Sequence, residues 1–313
     1  MTMQPTLIFD KVKENPILSA HQWPMPINSV FNSGACRTER ETVLLCRVED
    51  TFGLSHLWVA RSTDGVTGWR IDPTPLLSPN PKKQSELWGF EDARISRLVG
   101  HSEWVVTCTA YGPPGPSVYM FTTDFEVVSD GRTVLTNDKN ASVLPKKFND
   151  QWLMLHRPTS SEMSGRSVIE ISRGSDLKSW GETQVVMSAR DGNWWDSVRI
   201  GIGPPPFETS DGWLLLYHGA RDTVAGAVYR VGVALLDSSN PGRVTHRGES
   251  WLLSPTKNYE RIGDVNNVVF PCGMVIDEEA DEIFLYYGAA DTCTALARGR
   301  LSEVMAYALS CPV

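Results

Sequence analysis

Short apolar β-runs recur along this chain in two sets that stay in phase, and that recurrence limits the fold more than any single motif. The first set comprises residues 43–47, 104–111, 152–157, 213–219 and 283–288. The second set follows it at residues 57–65, 118–124, 168–177 and 230–237, with a degenerate fifth copy at 295–301. Four copies of the second set end in a turn bearing Asp64, Asp124, Asp176 or Asp237, at spacings of 60, 52 and 61 residues. Three of those turns are followed by an aromatic residue: Trp69, Phe125 or Trp180. Gly, Pro, Asn and Asp separate the runs, and helical periodicity is nearly absent, which is an all-β signature. Repeats of this length suit one four-stranded blade each. Five units predict an all-β, five-bladed β-propeller with residues 1–313 as a single catalytic domain. A β-sandwich is the alternative, and it leaves the phasing of the two sets to coincidence.

In a propeller the innermost strands surround a central channel. Taking the first set as innermost brings Arg47, Tyr111, Arg157 and His218 to one end of the axis, with Asp291 beside them. The segment Gly89-Phe90-Glu91-Asp92-Ala93-Arg94-Ile95 precedes the second of these strands and overlooks the same opening. Neighbours in an extended chain point to opposite faces, so Glu91 and Asp92 share a pocket only if the strand is bulged. The plain alternative is a solvated acidic pair with Arg94 as its surface partner. Arg47, Arg157 and His218 repel one another when gathered, unless an anion is bound. Arginine forks match phosphate or carboxylate.

The whole chain is acidic, with 29 Lys+Arg against 37 Asp+Glu and a formal net charge of −8. That speaks against a nucleic-acid partner, which requires a basic face. The six cysteines form no Cys-x-x-Cys pair, and four of them read as buried free thiols. Residues 1–16 show no apolar signal core. No run approaches the roughly 18 apolar residues of a membrane span. A cytoplasmic location without a membrane partner follows. No ligand-spaced His/Cys group appears, so no metal is expected. The eleven tryptophans fit two uses, sugar stacking or strand-rich cores.

Seven short stretches keep a specific order. They are Phe31-Asn32-Ser33-Gly34-Ala35, Leu44-Leu45-Cys46-Arg47, the segment from Gly89 to Ile95, and His156-Arg157-Pro158. Ile202-Gly203-Pro204-Pro205-Pro206, Tyr217-His218-Gly219 and Tyr286-Tyr287-Gly288-Ala289-Ala290-Asp291 follow. In these, from about residue 15 to residue 291, the chain resembles glycoside hydrolase family 130, the β-mannoside phosphorylases and mannosidases. The resemblance implies a five-bladed propeller. It implies Asp92 as general acid, passing its proton through a sugar hydroxyl. Asn32, Ser33, Arg47 and Asp291 then hold the mannose, with Arg94 and Arg199 as further substrate contacts. Lys139, Arg157, His218 and Tyr229 fall at the phosphate-binding positions. The run Lys139-Asn140-Ala141 departs from the pattern, in which an acidic residue commonly follows the basic one.

An inverting hydrolase requires an acid and a base about 6.5–9.5 Å apart. Phosphate is already a nucleophile, so a phosphorylase requires one acid and an anion site. One strong carboxylate candidate with a cationic cluster matches the second pattern. The expected reaction is inverting phosphorolysis of a β-1,4- or β-1,2-mannoside to α-mannose 1-phosphate. Its partners are a small carbohydrate and phosphate, with no cofactor and with room for a homo-oligomer. The rivals are an inverting β-mannosidase using Asp196, Asp222 or Asp264 as base, and a non-catalytic sugar-binding propeller. Residues 28–32 lack the Asn-Asp-Pro-Asn-like motif of furanosidase propellers. Loops 111–117 and 160–166 are expected to set linkage and acceptor.

Overall fold

Strand β1 (Asp10–Lys11), near the start of the chain, pairs with the last strand and so closes a ring of five antiparallel blades. Blade 1 is β2 (Ile27–Arg37), β3 (Thr42–Asp50), β4 (Ser55–Ser62) and the short β5 (Arg70–Ile71). Blade 2 is β6 (Gly89–Ser96), β7 (Trp104–Tyr111), β8 (Ser117–Thr123) and β9 (Val128–Thr136). Blade 3 is β10 (Asp138–Val143), β11 (Trp152–Pro158), β12 (Val168–Gly174) and β13 (Gly181–Ser188). Blade 4 is β14 (Arg199–Ile202), β15 (Phe207–Thr209), β16 (Gly212–Thr223), β17 (Gly226–Leu236) and β18 (Val244–Arg247). Blade 5 is β19 (Val269–Asp277), β20 (Glu282–Ala289) and β21 (Cys293–Arg300), completed by β1. Blades 1 and 2 touch through one parallel bridge, Ser55 to Gly89. This computed structural model describes residues 8–160 and 166–313. Most of the 160–166 loop therefore lies outside the described residues.

The five-bladed expectation is met, but the order of strands within a blade is not the one expected. The innermost strands are β2, β6, β10, β14 and β19, with β2 lying against β6 and β19. The apolar runs taken as innermost are the second strands: β3, β7, β11, β16 and β20. The five hydrophobic clusters explain why. Each fills one seam between adjacent blades. Along β3, Val43 and Leu45 face blade 2 beside Phe90 and Val106. The alternate residues Leu44 and Cys46 face blade 5 beside Tyr286 and Leu296. A strand buried on both faces reads as a continuous apolar run. The innermost strands instead line a polar channel.

Trp23, Trp58, Trp152, Trp195 and Trp213 are buried in or beside these seams. They serve packing, where each large side chain contributes about 1.5–3 kcal/mol or more. Five of the six cysteines are buried free thiols and Cys311 is half-buried. Among the described residues no helix is long and apolar enough to cross a membrane.

Candidate active site

Three innermost strands share one local distortion. The register slips between Phe31 and Gly34 in β2, between Glu91 and Arg94 in β6, and between Lys139 and Ser142 in β10. At these bulges Asn32, Asp92 and Asn140 have φ of 48, 54 and 51°. Asn and Asp tolerate this left-handed region better than other side chains. A bulge breaks the strict alternation of side chains. Glu91 and Asp92 therefore both reach the channel, which a regular strand forbids. Asn140 is the member of this trio that motif reading missed. The signal was present as Asn32-Ser33, Asp92-Ala93 and Asn140-Ala141, an Asx residue followed by a small one.

The bulges open on a cavity of about 220 Å³ at one end of the axis. Asn32, Arg47, Asp92, Lys139, Arg157, His218, Tyr229 and Asp291 line it, and so do Glu91, Asn140 and Phe270. Eight of the eleven proposed site residues thus lie together, although the strands that carry them were misassigned. The other three do not line the cavity. Ser33 is buried, its Oγ 3.0 Å from Thr294 Oγ1. Arg94 is buried, and it donates to the Gly203 and Ile202 carbonyls at 3.1 and 3.2 Å and to the Asp92 carbonyl. It braces blade 2 against blade 4 and pins the peptide after Asp92, so it supports the wall instead of forming it. Arg199 Nη1 donates to the Tyr229 hydroxyl at 3.1 Å.

Blades 5, 1 and 2 form an acidic arc. Asp92 Oδ1 accepts from Asn32 Nδ2 at 2.9 Å and from Arg47 Nη1 at 3.4 Å. Arg47 Nη2 also pairs with Glu49 and Glu91 at 3.0 and 3.1 Å. Arg47 was expected in the cationic cluster, but these carboxylates neutralise it. Burial works against its charge, and Glu91, Asp92, Glu49 and Asp291 outweigh burial and hold it protonated. Burial pushes the Glu91 carboxyl up, with Arg47 pulling against it and Asp92 adding to the rise. Burial also pushes Asp291 up to about 7, against Arg47 and with help from Asp92, Glu91 and Glu49.

Blades 3 and 4 form the basic arc of Lys139, Arg157 and His218, with Asn140 and Tyr229. His218 packs on Phe270 with ring centroids 4.3 Å apart. A Cβ on Gly201 would lie 2.4 Å from His218 Cε1, so only glycine leaves room for the imidazole. Burial first, then Arg157, Arg94 and Lys139, push the His218 pKa well below its ordinary value. The imidazole is neutral in the free protein, which corrects its assignment as a cation. Behind this arc His156 Nδ1 lies 2.6 Å from Asp138 Oδ2, and Nε2 lies 2.8 Å from Ser172 Oγ. All three are buried, so the set ties blade 3 together and is closed to substrate.

None of the three rival bases lines the cavity. Asp196 is buried, its Oδ2 held by Arg247 at 2.7 Å and by the Tyr217 hydroxyl at 2.8 Å. Asp222 lines a separate cavity beside Trp251. Asp264 is exposed and accepts from Asn28 Nδ2 at 3.1 Å. The basic arc therefore contains no carboxylate among the described residues. Among these residues there is also no group of three or more His, Cys, Asp or Glu side chains placed to hold a metal ion.

The family model described as beta-1,4-mannooligosaccharide phosphorylase matches residues 10–309. The chain belongs to glycoside hydrolase family 130. A family member from Ruminococcus albus, a beta-1,4-mannooligosaccharide phosphorylase, is 35% identical over 304 residues, covering 95% of this chain and 89% of the relative. The beta-1,2-mannobiose phosphorylase of Listeria innocua, solved with beta-1,2-mannobiose, superposes with a TM-score of 0.87 at 27% identity, covering 96% of this chain and 99% of the other. A second family 130 structure comes from work on glycoside hydrolases that target beta-1,2 mannosidic linkages in Candida mannan. It has a TM-score of 0.77 at 25% identity, with 93% of each chain covered. The family 130 assignment agrees with the resemblance read from the seven motifs.

Proposed function

We propose that this family 130 protein cleaves β-mannosides by inverting phosphorolysis, releasing α-mannose 1-phosphate. The observation that carries this reading is the division of the cavity. Asp92, with Glu91 and Asp291 beside it, faces an arc of Lys139, Arg157, His218 and Tyr229 with no carboxylate in it. That arc offers an anion site and no carboxylate to serve as general base for water. Asn32, Arg47 and Asp291 hold the mannose unit. Phosphate, held by Lys139 and Arg157, attacks the anomeric carbon from the side of blades 3 and 4. The glycosidic C–O bond breaks as the C–O bond to phosphate forms. The leaving oxygen takes a proton that originates on Asp92, relayed through a sugar hydroxyl. A bound phosphate also favours the protonated form of His218, because its negative charge offsets part of the burial cost.

The names of the relatives support the chemistry and span both linkages, β-1,4 in the Ruminococcus protein and β-1,2 in the Listeria protein. The whole chain acts as one catalytic unit in this reading. Five buried, unpaired thiols fit a reducing, cytoplasmic setting. The deciding experiment is incubation with β-1,4- and β-1,2-mannobiose, each with and without phosphate. The expected result is mannose 1-phosphate only when phosphate is present. Equally fast release of free mannose without phosphate overturns the reading in favour of a mannosidase.

A further inference from the structure

We propose that the stacked Trp88–Tyr111 pair on the rim of blade 2 is a platform for a neutral oligosaccharide. It would hold the leaving-group sugars that lie beyond the one bonded to mannose. The proposal rests on the phosphorolysis reading above. The two rings stack with centroids 5.2 Å apart and planes at 29°. Trp88 is 48% exposed, unlike the five buried tryptophans of the blade seams. An indole left open to water forgoes a large apolar burial, so its position asks for an occupant.

The backbone fixes the pair where β6 begins and β7 ends. Gly89 pairs with Tyr111 across β6 and β7, and the Trp88 N–H donates to the Tyr111 carbonyl at 2.9 Å. A short series of contacts leads from there to the acid. The Ser55 N–H donates to the Trp88 carbonyl at 3.1 Å. Ser55 Oγ accepts from Arg47 Nε at 3.1 Å, and Arg47 Nη1 reaches Asp92 Oδ1 at 3.4 Å.

Inversion sets the direction of the leaving group. Nucleophile and leaving group occupy opposite sides of the reacting carbon. Phosphate sits on blades 3 and 4, so the leaving saccharide exits over blade 2, which carries the acid. Trp88 lies just before β6, four residues ahead of Asp92. At about 3.3 Å per residue, the platform stands roughly 10 Å or more from the acid, past the first leaving sugar. An aromatic face there meets the C–H face of a sugar ring while its hydroxyls stay in water. The stacked Tyr111 restrains the indole beforehand, which lowers the cost of ordering it on binding.

The test compares wild type, Trp88→Ala and Trp88→Phe on mannobiose, mannotriose and mannotetraose of both linkages at saturating phosphate. Trp88→Ala should lose about five- to tenfold in kcat/KM on the tri- and tetrasaccharide, while the disaccharide changes by less than about twofold. Trp88→Phe should keep most of the activity on the longer substrates. An equal loss at every length, or no loss at any length, overturns the platform. Calorimetric binding without phosphate provides a second arm that needs no turnover. Wild type should bind the trisaccharide more tightly than the disaccharide, and Trp88→Ala should not. Failure of this binding pattern overturns the platform. Failure of wild type to make mannose 1-phosphate overturns the phosphorolysis reading, and binding still judges the platform.

Discussion

Asn32 donates its amide hydrogen to Asp92 Oδ1 at 2.9 Å across the seam between blades 1 and 2, and the two residues occupy matching left-handed bulges of adjacent innermost strands. Arg47 Nη1 reaches the same oxygen at 3.4 Å. With both donors on Oδ1, Oδ2 is the oxygen left to bear a proton in the proposed role of Asp92 as acid. Asp92→Asn should lower turnover of natural mannosides by about 10²–10⁴-fold while the melting temperature changes little. An aryl mannoside, whose leaving group departs with little protonation, should lose much less. Rates on both substrates check this. Near-normal turnover of the natural substrate by folded Asp92→Asn moves the acid to Glu91.

Gly288 gives a way to disturb that pair from outside the cavity. A Cβ at this position would lie 1.9 Å from Asn32 Oδ1 and 2.9 Å from the Asn32 nitrogen. Gly288→Ala should therefore push Asn32 off Asp92 and lower kcat by about tenfold, the scale of one lost hydrogen bond. The apparent phosphate KM should stay near wild type, because the basic arc belongs to other blades. Steady-state kinetics in both substrates separates the two parameters. A pure phosphate effect argues against this coupling.

Arg157 tests the anion site. A hydrogen bond to a charged group is worth about 1.5–3 kcal/mol, and roughly 1.4 kcal/mol is tenfold. Arg157→Ala should raise the phosphate KM about ten- to a hundredfold and leave the mannoside KM little changed. Arg157→Lys, which keeps the charge but not the fork, should fall between. Initial rates against phosphate concentration decide the matter. An unchanged phosphate KM removes Arg157 from the anion site.

Asp291 makes stability depend on pH in a direction opposite to that of most carboxylates. Its folded-state pKa is raised from 3.8 to about 7. Between those values the folded state binds more protons than the unfolded chain, so this group's contribution falls as pH rises. It is fully present below about 4 and lost by about pH 7. His218, pushed down, has the opposite slope below its ordinary value. The comparison must therefore be made against a variant. Wild type should lose stability relative to Asp291→Asn as pH climbs from about 4 to about 7, measured by thermal melts. Parallel curves overturn the assignment.

Much of this was legible in the sequence, for reasons that are local. The apolar runs and Asp-bearing turns required a blade repeat, because strand patterning and turn chemistry act over a few residues. The order of the seven motifs pointed to the family. Arg157, His218 and Asp291 were found by type and position and Asp92 through the resemblance, and they do share one cavity.

Tertiary structure decided three other matters. Apolar runs report burial between neighbouring blades, as in Val43 and Leu45 facing one seam while Leu44 and Cys46 face the other. They therefore mark the second strand of each blade and not the polar innermost one. Whether Glu91 and Asp92 could share a pocket depended on a register slip against β7, which a strand's own residues do not specify. The charge at each site also came from the assembled fold. Arg47 belongs to the acidic arc because Glu49, Glu91 and Asp92 converge on it. His218 is neutral because burial and the nearby Arg157 and Arg94 outweigh its ordinary basicity. Residue types state which charges are available, but protonation depends on burial and on neighbours distant in the chain, and only the closed ring of blades supplies those.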